Sequence, residues 1–199
     1  MEVIMKIKGY LGNGLFSLQE QLFNKYLAGK LRKEIPELEL YVPQENTEIN
    51  DKSNFADSVA IAVADYERLQ DADFLIACLD GVLVDPGLAT EIGDMLSMGK
   101  PVFGLYTDVR QQKEFDSAFR EKTMALIDVA ESQWHYVNLY TVGRIKMSEN
   151  SDIFTTVDEL IEAVKNYKDM LEQYDAYGDF FANQEENIDD EVLGEVYGE

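Results

Sequence analysis

The feature that most constrains this chain is a six-residue apolar run, Phe74-Leu75-Ile76-Ala77-Cys78-Leu79. It is too short for a helix and shows no alternation, so it reads as a strand buried on both faces in a parallel sheet. A helical pattern follows and ends at Gly99. The stretch 80–93 between them, DGVLVDPGLATEIG, holds two aspartates, two glycines, a proline and then Glu91 before its last glycine. Strand end, tight turn and helix start are where open α/β sheets place their ligands. On this reading Glu91 falls in the first helical turn, where the positive end of the helix dipole favours the ionised carboxylate.

The rest of the chain extends the same alternation. Met5–Leu11 reads as a first strand, turned by Gly12-Asn13-Gly14. This turn is not a full dinucleotide fingerprint, because Ser17 stands where a third glycine belongs. Ser17-Leu18-Gln19-Glu20 has capping-box spacing and predicts a helix start at Ser17, with Leu22, Phe23, Tyr26, Leu27 and Leu31 as its apolar face. Leu38–Val42 reads as a second strand, and Pro43–Asn54 as a polar loop at its carboxyl end. A helix is predicted over Phe55–Leu69, carrying Asp65. Val102–Tyr106 reads as the next strand, Phe115–Val129 as a helix, and Trp134–Tyr140 as the last strand. That last segment holds His135, the one histidine, read as packed or at the surface. Thr156-Val157-Asp158-Glu159 is a second capping box, opening a helix to about Leu171. The pattern predicts an α/β fold, Rossmann-like or flavodoxin-like: a doubly wound, about five-stranded parallel sheet with helices on both faces.

Composition narrows the chemistry. The single cysteine, Cys78, lies inside the apolar run, which argues against disulfides and cysteine metal sites. One histidine leaves no Ser-His-Asp, Cys-His or histidine-rich set. The expectation is therefore no metal and no cofactor. The net charge is −22, from 39 acidic and 17 basic residues. Such a surface repels phosphate backbones and anionic membranes, so neither nucleic acid nor a membrane is an expected partner. Residues 171–199 carry ten acids and no Lys or Arg. They read as an acidic tail, partly docked or disordered, after a catalytic domain over 1–170. No apolar run approaches the roughly 20 residues of a membrane span, and no signal-peptide pattern opens the chain. A cytoplasmic location is the expectation.

What remains is carboxylate chemistry. Paired carboxylates suit glycosidic bonds, because one can attack the anomeric carbon while another handles a proton. Glu91 is the candidate nucleophile, with Asp85 and Asp65 as companions; Tyr10 and Asp80 also fall at strand ends.

Over roughly residues 5–165 the sequence resembles the nucleoside 2-deoxyribosyltransferases. Tyr10-Leu11-Gly12-Asn13-Gly14-Leu15-Phe16 is similar to that family's first-strand motif, and Asp85-Pro86-Gly87-Leu88-Ala89-Thr90-Glu91-Ile92-Gly93 to its central D-x-G-x-x-x-E-[IL]-G motif. Gly99-Lys100-Pro101-Val102 and Asn138-Leu139 resemble later motifs. The resemblance implies that Glu91 attacks C1′ of a 2′-deoxynucleoside and that Tyr10 holds that carboxylate. Asp65 and Asp85 would face base and sugar, one of them protonating the departing base. Gly12, Phe16, Thr47 and Gly87 would line the substrate. Asn138 would reach a neighbouring subunit's site in a homo-oligomer, a dimer to a hexamer. The partners implied are 2′-deoxynucleosides and free nucleobases. Two alternatives stand beside this reading: an N-glycosidase of 2′-deoxynucleoside 5′-monophosphates in the same superfamily, and a non-catalytic nucleoside-binding domain.

Overall fold

A computed structural model describes residues 5–46, 57–81, 83–108 and 137–174. Its strands are β1 (Ile7–Gly12), β2 (Leu38–Tyr41), β3 (Phe74–Cys78), β4 (Val102–Leu105) and β5 (Asp152–Phe154). They form one parallel sheet in the order β2-β1-β3-β4-β5. The helices of the first unit are α1 (Leu18–Glu34), α2 (Ser58–Asp71), α3 (Pro86–Ser97), α4 (Leu139–Lys146) and α5 over 157–163. The α/β doubly wound expectation holds. From β1 the chain steps outward to β2, then returns across β1 to β3. Right-handed crossovers therefore put α1 on one face and α2, α3 and α4 on the other. α2 touches α3, and α3 touches α4. The gap above β1 and β3 is the point where strand order reverses.

β3 is the core strand, with all five residues buried. Its side chains alternate between faces. Leu75, Ala77 and Leu79 pack with Tyr10, Leu88 and Ile92 under α2, α3 and α4. Phe74 points to the opposite face and meets Phe103 edge-on at 5.4 Å. Cys78 is buried, as expected of a small core side chain.

Both sequence-read capping boxes form. The Ser17 hydroxyl accepts from the Glu20 N–H and the Glu20 carboxylate from the Ser17 N–H; Thr156 and Glu159 repeat the pattern. α1 keeps Leu27 and Leu31 of its expected face and departs from it at Leu22 and Tyr26. Asn24, Leu27, Ala28 and Leu31 are buried, while Leu22 and Tyr26 are exposed. The reason is that polar Asn24 has hydrogen-bond partners inside and so takes a place in the buried stripe.

The expected last strand, Trp134–Tyr140, is corrected. Leu139 and Tyr140 open α4, because the Asn138 side chain accepts from the Tyr140 and Thr141 N–H groups and starts a helix there. The fifth strand is instead Asp152–Phe154. Residues 134–136, including His135, lie outside the described residues, as do Phe115–Val129 and the tail beyond 174. The chain divides into two units between Ala163 and Val164. In the second, the described residues 164–174 are helical, with Lys168 paired to Glu172. No helix among the described residues is long and apolar enough to cross a membrane.

α2 is lightly seated. Only Leu69 of its fourteen residues is buried. Its carboxyl end is held by the Lys100 ammonium, which donates to the carbonyls of Leu69, Gln70 and Ala72, the last at 2.6 Å. A cation there also complements the negative end of the helix dipole. Lys100→Met is expected to lower the unfolding free energy by about 1–3 kcal/mol, the range for lost charged hydrogen bonds to part-buried groups. Urea denaturation followed by circular dichroism measures this; an unchanged midpoint would mean that water satisfies those carbonyls equally well.

Candidate active site

Period-two geometry sets the site's floor. Tyr10 and Gly12 lie two residues apart on β1 and so face the same side. That side is covered by α3, where Leu88 and Glu91, three residues apart, share a face. Glu91 thereby enters the crevice above β1 and β3. The Tyr10 hydroxyl donates to Glu91 Oε1 at 2.7 Å. The other oxygen, Oε2, lies over Gly12: a Cβ there would come within 2.9 Å of it and within 2.5 Å of Leu88 Cδ1. The glycine is required because a carboxylate, not only a backbone, has to fit against this strand.

Two expectations about Glu91 are corrected. The helix begins at Pro86 with Asp85 as N-cap, so Glu91 is the sixth helical residue, in the second turn. The dipole's stabilisation fades within the first turn. Nor is the carboxyl held in its ordinary ionised range; burial pushes its pKa up to about 7. The Tyr10 hydrogen bond opposes that rise, and Asp65, Asp85 and Asp94 add to it by repulsion. Tyr10 is fully buried, and burial together with the charges of Glu91 and Asp65 drives its phenol well above the usual range. It acts as a donor and does not ionise.

Asp65 is the other carboxyl displaced upward, by burial. It sits on α2, close enough to raise both Tyr10 and Glu91. Among described carboxyls with a displaced titration, Glu20, Glu39, Glu45 and Asp71 move down and only Asp65 and Glu91 move up. Upward displacement marks a group that holds its proton more tightly than a free carboxyl does.

The remaining sequence candidates have other surroundings. Asp85 accepts from the Leu88 N–H through Oδ1 at 3.1 Å, which leaves its second oxygen for other contacts. A Cβ on Gly87 would approach that same Oδ1 to 3.0 Å. Phe16 is exposed. Asn138 caps α4 through its carbonyl oxygen. Thr47 lies outside the described residues. Asp80 accepts from the Thr107 N–H, the Thr107 hydroxyl and the Asp108 N–H, tying the end of β3 to the end of β4.

Three residues were not singled out from the sequence. Asn24 donates to the Gly14 carbonyl and to Gln44 Oε1, and accepts from Asn13 Nδ2 at 2.7 Å. It staples the turn after β1 to the turn after β2. An asparagine inside an apolar helical stripe was the available signal. Tyr41 and Arg68 are the others. The Tyr41 ring lies 5.3 Å from that of Tyr10, and the Arg68 guanidinium 5.2 Å above the Tyr41 ring.

The family model described as nucleoside 2-deoxyribosyltransferase matches residues 10–150. A conserved protein from Enterococcus faecalis V583 is 42% identical, the match covering 82% of this chain and 99% of that one with a TM-score of 0.69. A CMP N-glycosidase from Clostridium botulinum is 18% identical over 80% of this chain and 99% of that one, with a TM-score of 0.42. A 2-deoxyribosyltransferase from Bacillus psychrosaccharolyticus is 20% identical over 56% and 94%, with a TM-score of 0.40. Among curated proteins none matches.

A carboxyl raised to about 7 has a consequence for stability. Below about pH 4.5 it is protonated in folded and unfolded chains alike. From there to about 7 the unfolded chain loses the proton first, so stability falls as pH rises. The loss is about 3 kcal/mol once both states are ionised. Glu91→Gln keeps the acceptor for Tyr10 without the charge. It is expected to be more stable than the natural chain at pH 8 by about 3 kcal/mol and equal to it at pH 4. Chemical denaturation at both pH values tests this; equal stability at pH 8 would sink the assignment of a buried charge.

Proposed function

The chain belongs to the nucleoside 2-deoxyribosyltransferase family, and on that premise we propose that it moves 2-deoxyribose between nucleobases by double displacement through Glu91. The observation that carries this reading is the Tyr10–Glu91 hydrogen bond of 2.7 Å in the crevice where strand order reverses.

In the first half-reaction the ionised Glu91 carboxylate forms a bond to C1′ as the C1′–N bond breaks. The bonding pair leaves with the base, which takes a proton from a neighbouring carboxyl. Asp65 suits that role, since burial raises its proton affinity and it lies within electrostatic reach of Glu91. In the second half, a nitrogen of the incoming base attacks C1′. The ester bond breaks, its electrons return to Glu91, and the base's proton passes to Asp65. Two inversions give net retention. Tyr10 keeps one carboxylate oxygen engaged and Gly12 gives the other room.

A nucleoside, not a nucleotide, fits the turn after β1. The Phe16 and Ser17 N–H groups at the start of α1 donate to Glu20, at 3.1 and 2.7 Å. Those backbone hydrogen bonds pull the Glu20 pKa down, so the carboxylate is ionised. An internal anion thus occupies the amides that a 5′-phosphate would use.

Incubation of the chain with deoxyinosine and adenine is expected to yield deoxyadenosine and hypoxanthine. Hypoxanthine with free deoxyribose alone would mean hydrolysis, and no turnover would leave only a binding role. Glu91→Ala is expected to cut the rate about a thousandfold or more; surviving activity removes Glu91 from the mechanism. The rate should trace a bell with pH, because Glu91 must be ionised while Asp65 holds a proton, and one limb should fall near 7. A profile with no limb near 7 would contradict the buried setting.

A further inference from the structure

α2 carries Asp65 but buries only Leu69 in the sheet. One fully buried side chain constrains rotation of the helix about its axis only weakly, even with its contacts to α3 and β1, and a roll would swing Asp65 away from the crevice. Lys100 holds the carboxyl end through main-chain carbonyls. Those contacts fix the position of that end but discriminate weakly among rolls. A further contact to a side chain on α2 can set the angle.

Arg68 supplies one. It lies three residues beyond Asp65 and so on the same face of α2. Its guanidinium sits 5.2 Å over the ring of Tyr41. Tyr41 is itself fixed. It pairs with Tyr10 in the β1–β2 register, packs against it with rings tilted at 44° and 5.3 Å apart, and accepts from Asn46 Nδ2 at its hydroxyl. A chain of contacts then runs from Arg68 through Tyr41 and Tyr10 to Glu91.

We propose that Arg68 and Tyr41 are positioning residues whose cation–π contact sets the roll of α2 and so holds Asp65 beside Tyr10 and Glu91. Neither touches the reacting atoms. The inference rests on the roles given above to Asp65 and Glu91. Its geometry is readable without turnover, because Asp65 reports its own place by repelling the Glu91 charge. The groups that act on Glu91 are Tyr10 from β1, Asp65 from α2, and Asp85 and Asp94 from α3.

The test is a carbon NMR titration of the full chain labelled at glutamate carboxyls, with the Glu91 resonance assigned by its loss in Glu91→Gln. Tyr41→Leu and Arg68→Met remove the contact; Tyr41→Phe and Arg68→Lys retain ring and cation. Removing the contact is expected to lower the Glu91 midpoint by about half to one pH unit, as a nearby like charge moves off. The conservative variants should keep it within about 0.2 of a unit. Loss of the Arg68 charge alone would move the midpoint the opposite way, upward, so the sign separates positioning from a direct field effect. In an Asp65→Asn background, Tyr41→Leu should produce no further shift. Where turnover is measurable, kcat should fall about tenfold with KM within about twofold. Unmoved or raised midpoints in Tyr41→Leu and Arg68→Met overturn the proposal, as does an equal shift in the conservative pair. If deoxyribosyl transfer is absent while the midpoints shift as stated, the functional reading fails and the positioning stands. Arg68 is exposed, so Arg68→Met carries the test if Tyr41→Leu does not fold.

Discussion

The hydrogen bond from the Tyr10 hydroxyl to the Glu91 carboxylate joins β1 to α3 across the point where strand order reverses. On the function proposed, it reconciles two opposed demands. A nucleophilic carboxylate must be able to ionise, while a site that excludes water resists ionisation. Burial wins in part, and the group sits near pKa 7. Without the phenol the same burial would go unopposed by any hydrogen bond shown to Glu91. Tyr10 is suited to this because it is itself buried and cannot give up its proton. The strand's period of two then brings Gly12 under the second oxygen, so one short segment of β1 provides both the donor and the space.

Around this pair, several acids of a very acidic chain serve as acceptors for the backbone. Glu20 and Glu159 close capping boxes, Asp57 and Asp85 cap α2 and α3, and Asp73 accepts from the Lys8 N–H. Asp80 binds two amides and a hydroxyl at the end of β4. A carboxylate paired with N–H groups is stabilised as the anion, and it serves structure. Glu91 and Asp65 differ because they are partly buried without backbone donors among the hydrogen bonds described. The pair is therefore set apart from the other carboxylates by environment, which neither charge count nor spacing reveals.

Much of the fold was written locally. The run Phe74–Leu79 could only be a doubly buried strand, and Ser17 with Glu20 and Thr156 with Glu159 announce their helices three residues apart. The errors have equally specific causes. Asp85-Pro86 is a helix start, an N-cap followed by proline at the first turn, and reading past it moved Glu91 one turn too close to the helix end. Asn138 lies among aromatic residues whose preference is for strand, and its capping side chain starts a helix there instead. Asp152–Phe154 has three residues, too few to display a period. The titration of Glu91 and the stacking of Arg68 on Tyr41 were not legible at all. Both depend on which strands become neighbours, and the Tyr10–Tyr41 pairing is a fact of register, not of sequence distance.

The acid at the start of α1 bears on what the crevice is built to hold. A helix beginning just after the first strand of such a sheet offers free amides and a positive dipole end, a ready place for an anion. Here that place is filled from within by Glu20, whose Oε2 takes the Phe16 and Ser17 amides while Gly14 clears room for the side chain. An incoming phosphate would have to displace an ionised carboxylate on a chain of net charge −22. A neutral nucleoside faces neither barrier. Its sugar needs only the Glu91 carboxylate and a proton source, and its base departs neutral once protonated. On the function proposed, the acidity of the chain and the internal filling of its anion site act in the same direction, toward substrates that carry no charge of their own.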